Sequence, residues 1–393
     1  MTQQIVLTTK QLVGLTAVML MAFAASLGMA FNLDAIAISF ATSNTTAGLI
    51  TSAEMATIAL ASLTFARLAG RLDQYKVYVT GLAVIVIANI GSILAQDIPM
   101  LGVSRLIGGF AVGAVTATVM GTAGRSRDAA MTFGLIIGGV GVMAIVIAFI
   151  LPRALPLYQV LPGAFAWAQV DGLYIVYVAL ALAGLFFIRW TPRDFDPDAG
   201  SRTRKVAAPR SGWLALLGLG IMFYGHGLLG VFLVKVGRDM GLAPEVMGYV
   251  FMGAGVCGIF FPMAAGFIGT HLPSTLPIIA LVMAIVATAV VVATTDAHMV
   301  FFLIAPVFAS LPSAVIPIFL GAMSRVDPSG GLTAAHQAFL LIGVAVAPLV
   351  GGVLSDFGGY IVNGFAVGVF VLLGLAVALP GLMNADRLRL AKV

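Results

Sequence analysis

Four side chains interrupt runs that are otherwise soluble in lipid: Arg105, Glu54, Asp34 and His226. An arginine cannot shed its charge, and carrying one toward a bilayer centre costs about 2.5–3.5 kcal/mol on the lenient insertion scale. Arg105 therefore needs a carboxylate or carbonyl groups to compensate it, and it is also able to hold an anionic group bidentately. Glu54, in TSAEMATIALAS, is subject to two opposed influences. Burial disfavours an ionised carboxylate and a nearby guanidinium favours it, a competition suited to taking up and releasing a proton. His226, next but one to Tyr224 in MFYGHGLLGV, carries the side chain that titrates nearest neutrality. Asp34, just beyond Asn32, stands at the edge of its apolar run and is expected as a solvated helix end. These six residues, Arg105, Glu54, Asp34, His226, Tyr224 and Asn32, are the candidates for substrate binding or proton coupling. The other histidines, His271, His298 and His336, lie on separate segments with no zinc-binding spacing, and no metal site is expected.

The elements that must position these groups are membrane helices. Apolar residues form 61% of the 393 and charged residues 9%, far from the roughly 25% charged share of a soluble domain. Mean hydropathy is +1.11. Apolar runs of about 20 residues, enough to cross hydrocarbon, are expected at 11–33, 45–66, 76–96, 99–121, 130–151, 171–189, 212–234, 244–268, 275–295, 299–322, 332–354 and 360–382. With a helical rise of 1.5 Å per residue, Arg105 falls roughly 9 Å and Glu54 roughly 14 Å from the outer ends of their spans, and His226 roughly 21 Å from an inner end. All four candidates are thus able to share one layer in the outer half. Cys257 is the single cysteine, which excludes an intrachain disulfide.

Lysine and arginine set the orientation. With both termini cytoplasmic, sixteen fall on the inner side, three outside (Arg153, Lys235, Arg238) and one, Arg105, within a span. Residues 190–211, WTPRDFDPDAGSRTRKVAAPRS, mix both charge signs with Pro, Gly and Ser and cannot be embedded in lipid. The expected organisation is an N-terminal six-helix bundle over 1–190, a cytoplasmic linker over 191–210 and a C-terminal six-helix bundle over 211–393. Two halves with the same in/out sense are what a duplicated transporter requires. In the tenth run, Pro306, Pro312 and Pro317 each remove a backbone donor and favour bending.

Here the chain resembles the major facilitator superfamily over nearly its whole length. Between its second and third helices that family carries G-x-L-a-D-R-x-G-R-R, and this chain shows ARLAGRLDQYKV over Ala66–Val77, with Gly70 in place of the Asp. On the fourth helix the family carries R-x-x-Q-G; here Arg105-LIGG-Phe110 keeps the Arg and Gly109, with Gly108 in place of Gln. Gly109 and Gly113 form a GxxxG step that lets another helix approach closely. The antiporter signature of the fifth helix is reduced to glycines in Gly134–Val142, without its proline. The resemblance implies an all-α integral membrane fold of twelve helices in two pseudo-symmetric six-helix bundles. It implies a gating loop containing Arg67, Arg71, Asp73 and Lys76. It also puts Asn32, Asp34, Arg105, Tyr224 and His226 on cavity-lining helices, with Glu54 reaching in from the side.

The expected function is secondary active transport of a small organic solute by alternating access, coupled to H⁺, without a cofactor. A substrate bearing a carboxylate, or an amphipathic metabolite, would meet Arg105 directly. In the rival expectation, drug or metabolite efflux by proton antiport, Arg105 instead organises a proton-carrying acid. No GxxxxGK[ST] occurs, which argues against nucleotide-driven transport. A membrane enzyme would need convergent nucleophile, base or metal ligands that the polar inventory does not supply. A non-transporting sensor would more naturally carry a soluble output domain. Membrane lipid and a small-molecule substrate are the expected partners; the +5 net charge, confined to short loops, does not point to nucleic acid. The chain is expected to be a monomer in a bacterial inner membrane.

Overall fold

The computed structural model describes residues 6–68, 72–124, 126, 129–161, 167–193, 209–327 and 331–391. Their regular structure is helical. In chain order the helices are α1 (Thr9–Leu27), α2 (Met29–Ser39), α3 (Asn44–Leu68), α4 (Gln74–Ile93), α5 (Ile98–Gly124), α6 (Ala129–Ala154) and α7 (Asp171–Phe187). They continue as α8 (Arg210–Gly230), α9 (Leu233–Asp239), α10 (Pro244–His271), α11 (Thr275–Thr294), α12 (His298–Val326) and α13 (Gly331–Leu390). Among the described residues, eleven helical segments are long and apolar enough to cross a membrane. Phe260, Phe267 and Val369 point outward from their helices, the exposure expected of a lipid-facing surface. The chain is an integral membrane protein.

Local sequence sets the helix ends. Thr8 and Gln11 form a reciprocal capping box at the start of α1, and the Asp73 side chain accepts from the Tyr75 and Lys76 amides to start α4. The 60 residues of α13 would span about 90 Å as one helix, three hydrocarbon thicknesses. Gly358 (φ −145°) and Gly359 (φ 69°) break it into two arms.

The first apolar run is longer than the expected 11–33. α1 stops at Leu27, Gly28 turns the backbone, and α2 carries on to Ser39. Asp34 is consequently not a solvated helix end: it is buried within α2, 6% exposed.

The chain forms two compact units. One holds Met1–Thr42 and Ala53–Arg204, the other Ser43–Ser52 and Lys205–Val393, so the first turns of α3 belong with the second unit. In the first unit, α4 packs on α5 and α7, and α1 lies against α5, α6 and α7. In the second, α8 runs along α13, α10 packs on α12, and α11 contacts both α12 and α13. There Asp356 receives the amides of Asn44 (3.1 Å) and Thr45 (2.7 Å) and the Thr45 hydroxyl (2.6 Å), capping α3 from α13. Ser52 accepts from the Leu349 amide at 2.8 Å along the same contact.

Candidate functional site

Arg105 is 2% exposed, on the first half of α5. Its guanidinium is tied to α4: Nε donates to Ser92 Oγ at 3.0 Å, and Nη2 donates to Asn89 Oδ1 at 2.8 Å and to the Ala88 carbonyl at 3.2 Å. The Tyr174 ring of α7 covers it, 4.6 Å from Cζ to the ring centroid. Nη1 faces Glu54 Oε1 at 3.6 Å, longer than a normal hydrogen bond. The cation is thus fixed by neutral acceptors while its carboxylate partner is held slightly apart.

Glu54 is 7% exposed and reaches this position because α3 and α5 meet backbone to backbone. A Cβ at Gly109 would stand 2.6 Å from the Glu54 carbonyl and 3.2 Å from Glu54 Cγ, and one at Gly113 would collide with the Ile58 carbonyl. The GxxxG step does pack a helix, and the packed helix is the one that presents Glu54, four residues before Ile58.

Sequence reasoning did not find the rest of the cluster. Tyr174 and Tyr177 are buried on α7, their rings 6.4 Å apart. Tyr177 donates to Asn32 Oδ1 at 2.7 Å, and Asn32 Nδ2 donates to the Ala25 carbonyl at 3.0 Å, a group that the helix break at Gly28 releases. Glycine at position 28 makes room for Tyr177, whose hydroxyl stands where a Cβ would be. Among the described residues the buried Tyr174 hydroxyl has no hydrogen-bond partner. Tyr174 and Tyr177 lie three residues apart, and that helical spacing of aromatics was the available signal.

The structure thus brings Arg105, Glu54 and Tyr174 together and adds Asn32 through Tyr177. His226 and Tyr224 belong to the second unit and have local roles there. Pro312 has no N–H, so the Phe308 carbonyl one turn earlier lacks its helical donor; His226 Nε2 supplies one at 3.1 Å. A carbonyl only accepts, so that nitrogen carries a proton. The His226 ring also lies 4.5 Å from the Phe308 ring, and Tyr224 meets Phe370 edge-on at 5.0 Å. Lys235, assigned to the outer side from sequence, is on α9 and 4% exposed. It holds in the α8–α9 pair, counted from Arg210, the register that Asp34 holds in α1–α2, counted from Thr9.

In the expected gating loop, Asp73 caps its own helix and lies 3.8 Å from the exposed Lys76. Arg71 and the Arg67 side chain lie outside the described residues.

The helix arrangement is similar to solved structures of transporters. A bacterial homologue of the human lysosomal transporter Spinster, inward-facing and occupied, superposes with TM-score 0.72 at 16% identity, over 96% of this chain and 95% of that one. A mutant of the nucleoside transporter NupG gives 0.70 at 12% identity, over 95% and 98%. The chain has the major facilitator fold. The Spinster homologue in its unoccupied form gives 0.68 at 15% identity, over 96% and 95%. No family model and no curated protein matches the sequence. At such identities the major facilitator likeness fixes the arrangement of helices, and the chemistry around Arg105 rests on this chain's own residues.

Proposed function

We propose that the chain is a proton-coupled secondary active transporter of a small organic solute, with Glu54 as the proton carrier and Arg105 as the fixed cation beside it. The supporting observation is the division of labour at the guanidinium. Three hydrogen bonds to α4 and an aromatic cover hold Arg105 within the protein, which favours a group that organises an acid over one that captures a substrate carboxylate. Of the two transport modes expected from sequence, this favours proton-driven movement of a metabolite or drug-like solute.

In such a cycle Glu54 alternates between a carboxylate paired with Arg105 and a neutral acid that needs no counter-ion. The buried Tyr174 hydroxyl is a donor in reserve for the ionised form. Transport would proceed by rocking of two six-helix halves, with twelve crossings once α13 is counted as two, and with both termini cytoplasmic, as the sixteen basic residues of the inner segments against Arg153 and Arg238 outside support. The names of the structurally similar proteins, a lysosomal transporter homologue and a nucleoside transporter, agree with transport.

The test is reconstitution into proteoliposomes that enclose a pH-sensitive dye, challenged with nucleosides, small carboxylates and cationic amphiphiles. At least one class is expected to change luminal pH with the wild type, and none with Glu54→Gln. Normal proton coupling in both Glu54→Gln and Arg105→Ala would overturn the proposal.

A further inference from the structure

A second charged site lies in the C-terminal unit. Between α10 and α12, at the end of that unit where the chain finishes, is a cavity of about 440 Å³. Its walls are bare because Gly266, Gly269 and Gly321 contribute no side chain, and a Cβ at Gly266 or Gly321 would meet nothing within 4 Å. Its lining also includes Ser324 and two arginines, Arg325 from α12 and Arg389 from α13.

Both arginines are held in place. Arg325 Nη2 donates to Ser274 Oγ, and Arg389 Nη1 donates to the Gly269 carbonyl at 3.1 Å and to the Leu272 carbonyl. The nearby carboxylate, Asp386, receives the amides of Ser274 (2.6 Å) and Thr275 (3.0 Å) and the Thr275 hydroxyl, capping α11. The two guanidinium groups therefore stand near a carboxylate whose oxygens are engaged by the start of α11. Arg325 Nε is buried and has no partner among the described residues. Preorganised guanidinium groups of this kind match a phosphate oxygen pair.

We propose that this cavity binds the phosphate of an anionic phospholipid, with an acyl chain lying over the glycine-lined wall. The lipid source, rather than free phosphate, follows from the surroundings. The adjoining face of α10 turns Phe260, Met263 and Phe267 outward, 62%, 67% and 69% exposed, as a hydrocarbon-facing surface does. Arginines at the end of such a span lie at headgroup depth, where anionic lipids concentrate basic side chains.

Native mass spectrometry of the full chain in a non-ionic detergent tests this with phosphatidylglycerol, phosphatidylcholine and inorganic phosphate as separate additions. Phosphatidylglycerol is expected to bind about tenfold more tightly than phosphatidylcholine, a difference of about 1.4 kcal/mol. That preference should vanish in the Arg325→Gln/Arg389→Gln double variant. It should also vanish in Gly321→Leu, which fills the groove and leaves both arginines and the Ser274 contact intact. Arg387→Gln, two residues before Arg389 and outside the lining of this cavity, should keep it. Equal phosphatidylglycerol binding in the wild type and Gly321→Leu would overturn the proposal, as would displacement of the lipid by an equal concentration of inorganic phosphate.

Discussion

The Glu54 carboxylate lies 3.6 Å from the Arg105 guanidinium, while the hydrogen bonds of that guanidinium go to Ala88, Asn89 and Ser92 of the neighbouring helix. A buried ion pair is usually held by direct hydrogen bonds, because desolvation otherwise exceeds the attraction. Here neutral acceptors stabilise the cation independently, so the acid is free to change charge without leaving the arginine stranded.

Replacing Arg105 with Lys keeps the charge and removes the planar fork that reaches Ser92 and Asn89 together. An ammonium cannot span both, and hydrogen bonds to charged groups contribute about 1.5–3 kcal/mol. The Arg105→Lys protein is expected to melt at a lower temperature than the wild type in the same detergent. An unchanged melt would mean that the α4 acceptors do not hold the cation.

Gly109→Ala puts a methyl group 2.6 Å from the Glu54 carbonyl, with rigid backbone on both sides. Overpacking of this kind costs about 1–3 kcal/mol. Gly102→Ala, where nothing lies within 4 Å, is the matched control on the same helix and is expected to be neutral or slightly stabilising. Equal melts for the two variants would contradict the close crossing.

Much of this crossing was legible in the sequence, and its consequence was not. The spacing of Gly109 and Gly113 announces a close helix contact, and Arg105 in an apolar run announces a need for partners. Those partners, Asn89 and Ser92, are small polar residues 16 and 13 positions away, of a kind that membrane helices carry without special meaning. Only the packing of α4 on α5 shows which of them face the arginine. Asp34 and Lys235 were misplaced for one shared reason. Each was taken to mark the end of an apolar run, whereas α2 and α9 continue past a backbone break and bury the charge. His226 was visible, but its tie to the carbonyl that Pro312 leaves free depends on two helices meeting.

That tie predicts coupling between His226 and Pro312. His226→Phe leaves the buried Phe308 carbonyl unsatisfied, at a cost of about 1–3 kcal/mol. Pro312→Ala restores the helical donor to the same carbonyl, so in that background His226→Phe should cost at least about 1 kcal/mol less. Strict additivity in a double-mutant cycle of unfolding would assign the histidine another role.

Asp356 lies beyond the apolar run 332–354, where it caps α3. Partial desolvation raises its pKa. Hydrogen bonds from the Thr45 hydroxyl and amide, the Asn44 amide and the Ser43 hydroxyl outweigh that, so its carboxyl lies below the ordinary value of 3.8. A depressed folded-state pKa contributes stability that is present above the unfolded value and lost as pH falls through the folded one. Asp356→Ala should lower stability by about 1 kcal/mol near neutrality. The gap to the wild type should close as pH drops below about 4. A gap that stays constant in acid would exclude the ionised cap.

The most direct measurement is an infrared titration of the reconstituted protein, following the carbonyl stretch of protonated carboxylic acids as pH is varied. With Glu54 as the proton carrier, the wild type shows a band that rises and falls with pH. Glu54→Gln lacks that band, and removing the neighbouring cation in Arg105→Gln shifts the pH at which it appears. The same titrating band in Glu54→Gln as in the wild type would contradict a proton carried at this site.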